Sequence, residues 1–177
     1  MDHNDHVFLI HKGIPGPGGV WADLGSGWGA FTLALADLIG PTGRIYSVDK
    51  DSGSLREQER AMRSRFPGTN VTYLHADFTQ RLDIPPLDGI VMANSLHFLR
   101  NKDATLQLVR SYLQPQGRLL IVEYDTDRGN PWVPYPFSYP TWEAMARQNG
   151  FINTQLLETR PSRSFSGMYS ALSILPN

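Results

Sequence analysis

The chain has 177 residues, a formal net charge of −1, 41% hydrophobic and 19% charged residues, and no cysteine. That length suits one domain with a substantial core, and the composition is that of a globular chain, neither disordered nor membrane-spanning. The near-zero charge provides no basic footprint for nucleic acid or an anionic membrane surface. Absence of cysteine excludes a disulfide framework and thiolate metal sites.

The first residues, 1–18, read as a short, loose segment ahead of the domain. His and Asp precede a brief apolar run, Val7 to Ile10, which is neither the basic start nor the long apolar centre of a signal peptide. A cytoplasmic location is therefore expected. His3, His6 and His11 lack the i, i+4 spacing of helical metal ligands; they are expected to be exposed, and no metal site is expected. No stretch approaches the roughly 20 apolar residues that span a bilayer.

Val20 to Gly29, reading Val-Trp-Ala-Asp-Leu-Gly-Ser-Gly-Trp-Gly, is the most informative stretch. A short apolar run with an acid near its end predicts a buried strand, and Gly25, Gly27 and Gly29 allow a sharp turn with positive φ where a ligand can approach the backbone. Phe31, Ala34, Leu35 and Leu38 recur at i, i+3, i+4, i+7, which predicts a helix stopped by Gly40-Pro41. The N-terminus of that helix faces the loop and favours an anionic ligand group.

Further strands are predicted near 43 to 48, 70 to 75, 87 to 93 and 117 to 123, the first lying near 19 to 24. Between them, Ser52 to Phe66 reads as a one-faced helix ended by Pro67-Gly68, and Asn101 to Leu113 as another with Leu106, Val109 and Leu113 on one stripe. This alternation predicts a parallel sheet with right-handed helical crossovers. The proline- and aromatic-rich stretch within 126–140 can be neither regular helix nor central strand. A helix is predicted from Thr141, as N-cap after Pro140, to Asn149-Gly150. Two last strands, Phe151 to Glu158 and Met168 to Leu175, flank a polar loop from Thr159 to Gly167.

Gly25-Ser26-Gly27-Trp28-Gly29-Ala30 satisfies the dinucleotide pattern G-x-G-x-x-G/A, and Asp49 lies about 20 residues beyond the turn, where a ribose-binding acid is expected. Asp23, however, would repel a pyrophosphate at the strand end. An acid there suits a cationic group such as the α-ammonium of S-adenosylmethionine, while the helix N-terminus suits its carboxylate and Asp49 its ribose.

Asp23-Leu24-Gly25-Ser26-Gly27-Trp28-Gly29 closely resembles the first motif of class I S-adenosylmethionine-dependent methyltransferases. Arg44 to Asp49 resembles their second strand, ending in the acid for the ribose hydroxyls. Val71 to Phe78 resembles the third, with Asp77 for the adenine amino group and Phe78 against the ring. Leu87 to Leu99 resembles the fourth strand and the loop beside the transferable methyl, and Leu113 to Glu123 the turn into the fifth. The ordered agreement runs over roughly 18 to 123, within the small-molecule, UbiE-like group. It implies a single α/β domain, 1–177, of three-layer Rossmann-like type. Its sheet would be mostly parallel and seven-stranded, with an antiparallel last strand inserted between the fifth and sixth.

The cofactor contacts so implied are Asp23, Gly25, Ser26, Gly27, Asp49, Lys50, Asp77, Phe78 and Asn94, with S-adenosyl-L-methionine as cofactor. Methyl transfer is an in-line displacement, so the protein chiefly aligns reactants and excludes water. His97, just past the fourth strand, is the candidate general base, its ordinary pKa near 6.5 suiting proton abstraction. The stretch Met92-Ala93-Asn94-Ser95 departs from the magnesium-binding acids of catechol-type relatives, which again implies no metal.

The acceptor is expected to be a small molecule, with no nucleic acid and no membrane as partner, and the 126–140 segment is the lid candidate, where Trp132, Tyr135, Phe137 and Tyr139 offer apolar area. Two other readings stay open. A non-catalytic binding or scaffold protein that retains the fold is one. An NAD(P)-dependent oxidoreductase is the other, although its Tyr-x-x-x-Lys pair is matched only by Tyr46 and Lys50, across a strand end.

Overall fold

The computed structural model describes residues 1–162, 165 and 167–177, so the polar loop expected before the last strand lies partly outside the described residues. Among these residues, seven strands, β1 (Val20–Leu24), β2 (Arg44–Asp49), β3 (Asn70–His75), β4 (Leu87–Ala93), β5 (Leu113–Tyr124), β6 (Ile152–Arg160) and β7 (Met168–Ile174), form one sheet of order β3-β2-β1-β4-β5-β7-β6. Strands β1 to β5 pair in parallel, and β7 runs antiparallel to both β5 and β6. The seven-stranded, mostly parallel sheet with its inserted last strand is thus as the resemblance implied.

Among the described residues, five α-helices, α1 (His3–Ile10), α2 (Ala30–Ile39), α3 (Ser52–Arg65), α4 (Asp103–Tyr112) and α5 (Tyr139–Gln148), make the outer layers. Strand side chains alternate between faces, so the core is in two parts. Ala22, Leu24, Ile90, Met92, Leu119 and Ile121 face α4 and α5 through Leu106, Val109, Trp142 and Ala146. Trp21, Ile45, Val91, Leu120 and Val122 face α1, α2 and α3 through Leu9, Ile10, Phe31, Leu35 and Met62. Strand order reverses direction at β1 and β4, which opens a crevice at their carboxyl ends, the usual ligand site of such sheets.

The N-terminal segment corrects the sequence expectation of looseness. Asp2 and Asp5 form a reciprocal capping box, with Asp5 N donating to Asp2 Oδ1 at 3.0 Å and Asp2 N to Asp5 Oδ2 at 3.0 Å. This starts α1, whose Leu9 and Ile10 are 0% exposed. The three histidines are half-buried: His3 bonds Asp37 of α2 at 3.0 Å, His6 lies edge-on to Phe31, and His11 Nδ1 bonds Phe8 O at 2.7 Å. An apolar run too short for independent order is stabilised by burial against α2.

Helix α5 begins at Tyr139 with Ser138 as N-cap, earlier than Thr141, and Pro140 sits inside its first turn. First-turn N–H groups need no helical partner, so a proline there costs nothing. Strand β5 also begins earlier than expected, directly after α4, with a register irregularity between the Leu87 and Gly89 pairings that absorbs Pro115. Among the described residues no helix is long and apolar enough to cross a membrane.

If α1 is part of the core, Leu9→Ala should destabilise the protein by about 2–5 kcal/mol, the cost of a buried leucine truncation. Urea denaturation followed by circular dichroism measures it, and a loss under 1 kcal/mol would mean α1 is only loosely attached.

Candidate active site

The glycine turn is built by its backbone. Gly25, Gly27 and Gly29 have φ of 77°, 52° and 83°, values that favour residues without a Cβ. Gly25 N and Ser26 N both donate to Val48 O, at 2.9 and 3.0 Å, and Gly27 N donates to Asp49 Oδ2 at 2.7 Å. The turn is therefore tied to the end of β2, and α2 starts straight after it.

A cavity of about 560 Å³ opens at the strand ends, lined by Gly25 just after β1, Asp49 and Lys50 at the end of β2, and Ala76 to Thr79 after β3. Asn94, Ser95, Phe98 and Leu99 after β4 complete its wall. The volume is that of a small-ligand pocket. A Cβ on Gly25 would lie 2.6 Å from Ser95 Cβ and 3.1 Å from Phe78 Cε1, so glycine keeps the floor open between them. A wider groove of about 750 Å³ between Arg100 and Asp103 on one side and α5 on the other lies away from these strand ends. No strand-end acid lines it.

Asp49 Oδ1 accepts from Asp51 N at 2.8 Å, so both its oxygens are oriented by backbone donors, and their remaining lone pairs are free for hydroxyls. Asp77 Oδ1 accepts from Thr79 N and Thr79 Oγ1, at 2.9 and 2.7 Å, and these bonds hold its carboxyl below the usual carboxylate range. Asn94 has φ of 52°, and its Oδ1 and Ser95 Oγ are buried without a hydrogen-bond partner among the described residues. Unpaired buried polar atoms are costly unless a ligand completes them.

Six of the residues singled out as cofactor contacts therefore meet at one cavity: Gly25, Asp49, Lys50, Asp77, Phe78 and Asn94. The other three lie behind it. Gly27 is tied to Asp49. Ser26 Oγ accepts from Ser47 Oγ at 2.8 Å and Gln58 Nε2 at 3.2 Å, bracing the turn from the α3 side. Asp23 is 1% exposed, does not line the cavity, and accepts from Thr32 Oγ1 of α2 at 2.6 Å. The reason is the strand period: Asp23 shares the face of Trp21, beneath α2. Burial pushes its carboxyl up to about 7, the charge of Asp49 adds to this, and the Thr32 bond opposes it.

His97 lies off the cavity wall in the short 3₁₀ turn Leu96–Phe98. It is 3% exposed, and its Nδ1 lies 2.6 Å from Glu123 Oε2 at the end of β5. Sequence reading missed Glu123, although an acid closing the apolar run Leu119 to Val122 was a visible signal. Ser95, Phe98 and Leu99 belong to the loop expected beside the transferable methyl but were not singled out individually, since nothing in their type marks them. Among the described residues no group of three or more His, Cys, Asp or Glu gathers as a metal site would require.

A glycine turn at the switch point, acids at successive strand ends and an antiparallel last strand define the nucleoside-cofactor class of α/β domain. The chain belongs to the methyltransferase domain family, whose model matches residues 17–160. It is 28% identical over 139 residues to the ubiquinone/menaquinone biosynthesis C-methyltransferase UbiE of Ectopseudomonas mendocina, covering 75% of this chain and 54% of that one. To the Pasteurella multocida UbiE it is 31% identical over 104 residues, 58% of this chain and 38% of that one. The chain spans about half the length of the curated relatives it matches or less. In fold it resembles a SAM-dependent methyltransferase from Aquifex aeolicus, with TM-score 0.73, 16% identity and 99% of both chains covered. Neither the scaffold nor the oxidoreductase reading is favoured by these matches.

The raised Asp23 carboxyl has a stability consequence. Between the ordinary value of 3.8 and about 7 the folded chain keeps a proton that the unfolded chain has lost. Its contribution to stability is thus present at low pH and declines as pH rises towards about 7, by at most about 1.4 kcal/mol per pH unit. Asp23→Asn should flatten that decline when thermal unfolding is followed from pH 5 to 8; parallel curves for the two proteins would show that Asp23 ionises normally.

Proposed function

We propose that this domain catalyses S-adenosylmethionine-dependent methyl transfer to a small-molecule acceptor by in-line displacement. The observation that carries the reading is the pair of buried atoms Asn94 Oδ1 and Ser95 Oγ, unpartnered among the described residues, on a cavity rimmed by Asp49 at the end of β2 and Asp77 after β3. They fit a ligand with hydrogen-bond donors at one end and a ribose and base at the other. Asp49 would hold the ribose hydroxyls, Asp77 Oδ2 the adenine amino group, and Phe78 the ring face. Asn94 would hold the amino-acid end, with Gly25 and Ser26 giving it backbone room. When bound, the cofactor supplies a methyl carbon on a positively charged sulfur.

The remaining work of the chain is alignment and exclusion of water, with His97 as the candidate base where the acceptor arrives protonated. The UbiE relatives are named as C-methyltransferases of ubiquinone and menaquinone biosynthesis, which supports a small acceptor methylated at carbon. In this reading Tyr135 and Trp132 of the 126–140 segment wall the acceptor side, the domain acts in the cytoplasm, and nucleic acid is not a partner, the last supported by the net charge of −1.

Isothermal titration calorimetry with S-adenosylmethionine and its demethylated product tests the cofactor. Both should bind, and Asp49→Ala should weaken binding by about tenfold or more, the value of one to two hydrogen bonds to a charged group. Undetectable binding to folded protein would move the assignment to a scaffold.

A further inference from the structure

We propose that Lys102 is a positioning residue for the acceptor: its ammonium pins the proline-rich segment to the wall of the cofactor cavity and so fixes where the acceptor can lie. This rests on the methyl-transfer reading above, in which that segment walls the acceptor side.

The side chain starts from a rigid base. Lys102 O accepts from Leu106 N at 2.9 Å in the first turn of α4, and Leu106 and Val109 of that helix are fully buried in the core. The lysine makes no side-chain cap bond to its own helix. Instead Nζ donates to Leu99 O at 2.8 Å and to Tyr135 O at 3.1 Å. Leu99 lines the cofactor cavity, and Tyr135 lies in the middle of the proline-rich segment, so one ammonium joins the two walls. Tyr135 N donates to His97 O at 2.9 Å, which ties Tyr135 through both of its main-chain groups.

A lysine only 7% exposed is a costly residue to pack, since its ammonium loses hydration on burial. What it adds is direction. Two of its three N–H donors go to carbonyls, and the charge lies over the Phe137 ring, 5.0 Å from the centroid, where a cation is attracted. Burial shifts the ammonium down, and the charge of Glu123 opposes this. The segment's own bonds give it shape without setting its distance from the cavity: Asn130 Oδ1 accepts from Trp132 N and Val133 N, and Asp127 accepts from Ser138 N and Oγ. Its far end is held where Tyr169 Oη donates to Phe137 O at 3.1 Å. Lys102 holds the middle.

In-line displacement is sensitive to such a pin, because a misplacement of about 1 Å can cost about a hundredfold in rate. The acids Asp49 and Asp77 are oriented by bonds of their own loops. Loss of the pin therefore falls on the acceptor and spares the cofactor.

The chain has no cysteine, so spin labels attach only where cysteines are introduced. With labels on Trp132→Cys and Ser64→Cys, two exposed positions on the segment and on α3, double electron–electron resonance should give a single narrow distance band. Lys102→Met, of similar length but without charge or donors, should broaden or shift that band, and Lys102→Arg, which keeps both, should restore most of it. In the unlabelled chain, methylation of the probe 1,4-naphthoquinol is followed as release of demethylated cofactor. Lys102→Met should lower kcat/KM for the probe by about tenfold to a hundredfold, with S-adenosylmethionine affinity by calorimetry unchanged. A merely structural Lys102 would lower thermal stability and leave the distance band in place, and that result overturns the proposal, as does a loss shared equally by probe and cofactor. Should Lys102→Met fail to fold, Lys102→Gln, also without the charge, is measured in the same way. If the unaltered chain binds no cofactor or methylates no naphthoquinol, the methyl-transfer reading or its acceptor falls instead, and the distance band alone decides the pin.

Discussion

The bonds that bind the glycine turn to the end of β2 organise the cofactor half of the molecule. Three consecutive loop amides, those of Gly25, Ser26 and Gly27, go to Val48 O and to the Asp49 carboxylate. Each bond does two things. It satisfies a donor that a turn cannot pair within itself, and it places a cavity residue, because orienting the loop also orients Asp49. Gln58 of α3 completes the brace, donating to Ser26 Oγ and to Gly27 O, and a Cβ on Gly29 would run into it. Turn, acid, α2 and α3 thus form one hydrogen-bonded unit, and substitutions in it would act on several positions together.

The proline-rich side is held differently, through one residue and one segment. The proline-rich stretch is closed at its base where Asp127 accepts from Ser138 N and Ser138 Oγ and Asp125 accepts from Tyr139 N. Its middle is pinned to the His97 turn by Tyr135. The segment is thus anchored at both ends and in the middle, which suits a wall better than a swinging flap. Its four aromatics divide accordingly: Phe137 is buried in the core, Tyr139 packs on Tyr169, and Tyr135 and Trp132 stay exposed. Prolines limit the backbone states available to such a segment and so lower the entropy lost in ordering it.

Period and punctuation made much of this legible in the sequence. The apolar stripes of α2, α3 and α4, the glycine turn and the strand-ending acids Asp49 and Asp77 are local patterns, and the cavity assembles from residues those patterns mark. What escaped was of two kinds. Asp23 and Ser26 carry suitable chemistry but point behind the cavity, because strand alternation and the brace from Gln58 decide their direction. Helix α1 escaped because its order comes from Leu9 and Ile10 meeting α2, a contact between segments that no local pattern records.

By itself the sequence determined the alternation of strands and helices, the positive-φ turn and the places of the acids, since each depends on residues a few positions apart. Only the tertiary structure decided that Glu123, far along the chain, closes on His97, and that Ser95 and Phe98 wall the cavity. The physical reason is that adjacency in a parallel sheet arises through crossovers: β4 and β5 lie side by side although α4 separates them in sequence. A buried acid therefore finds its imidazole only once the sheet has assembled.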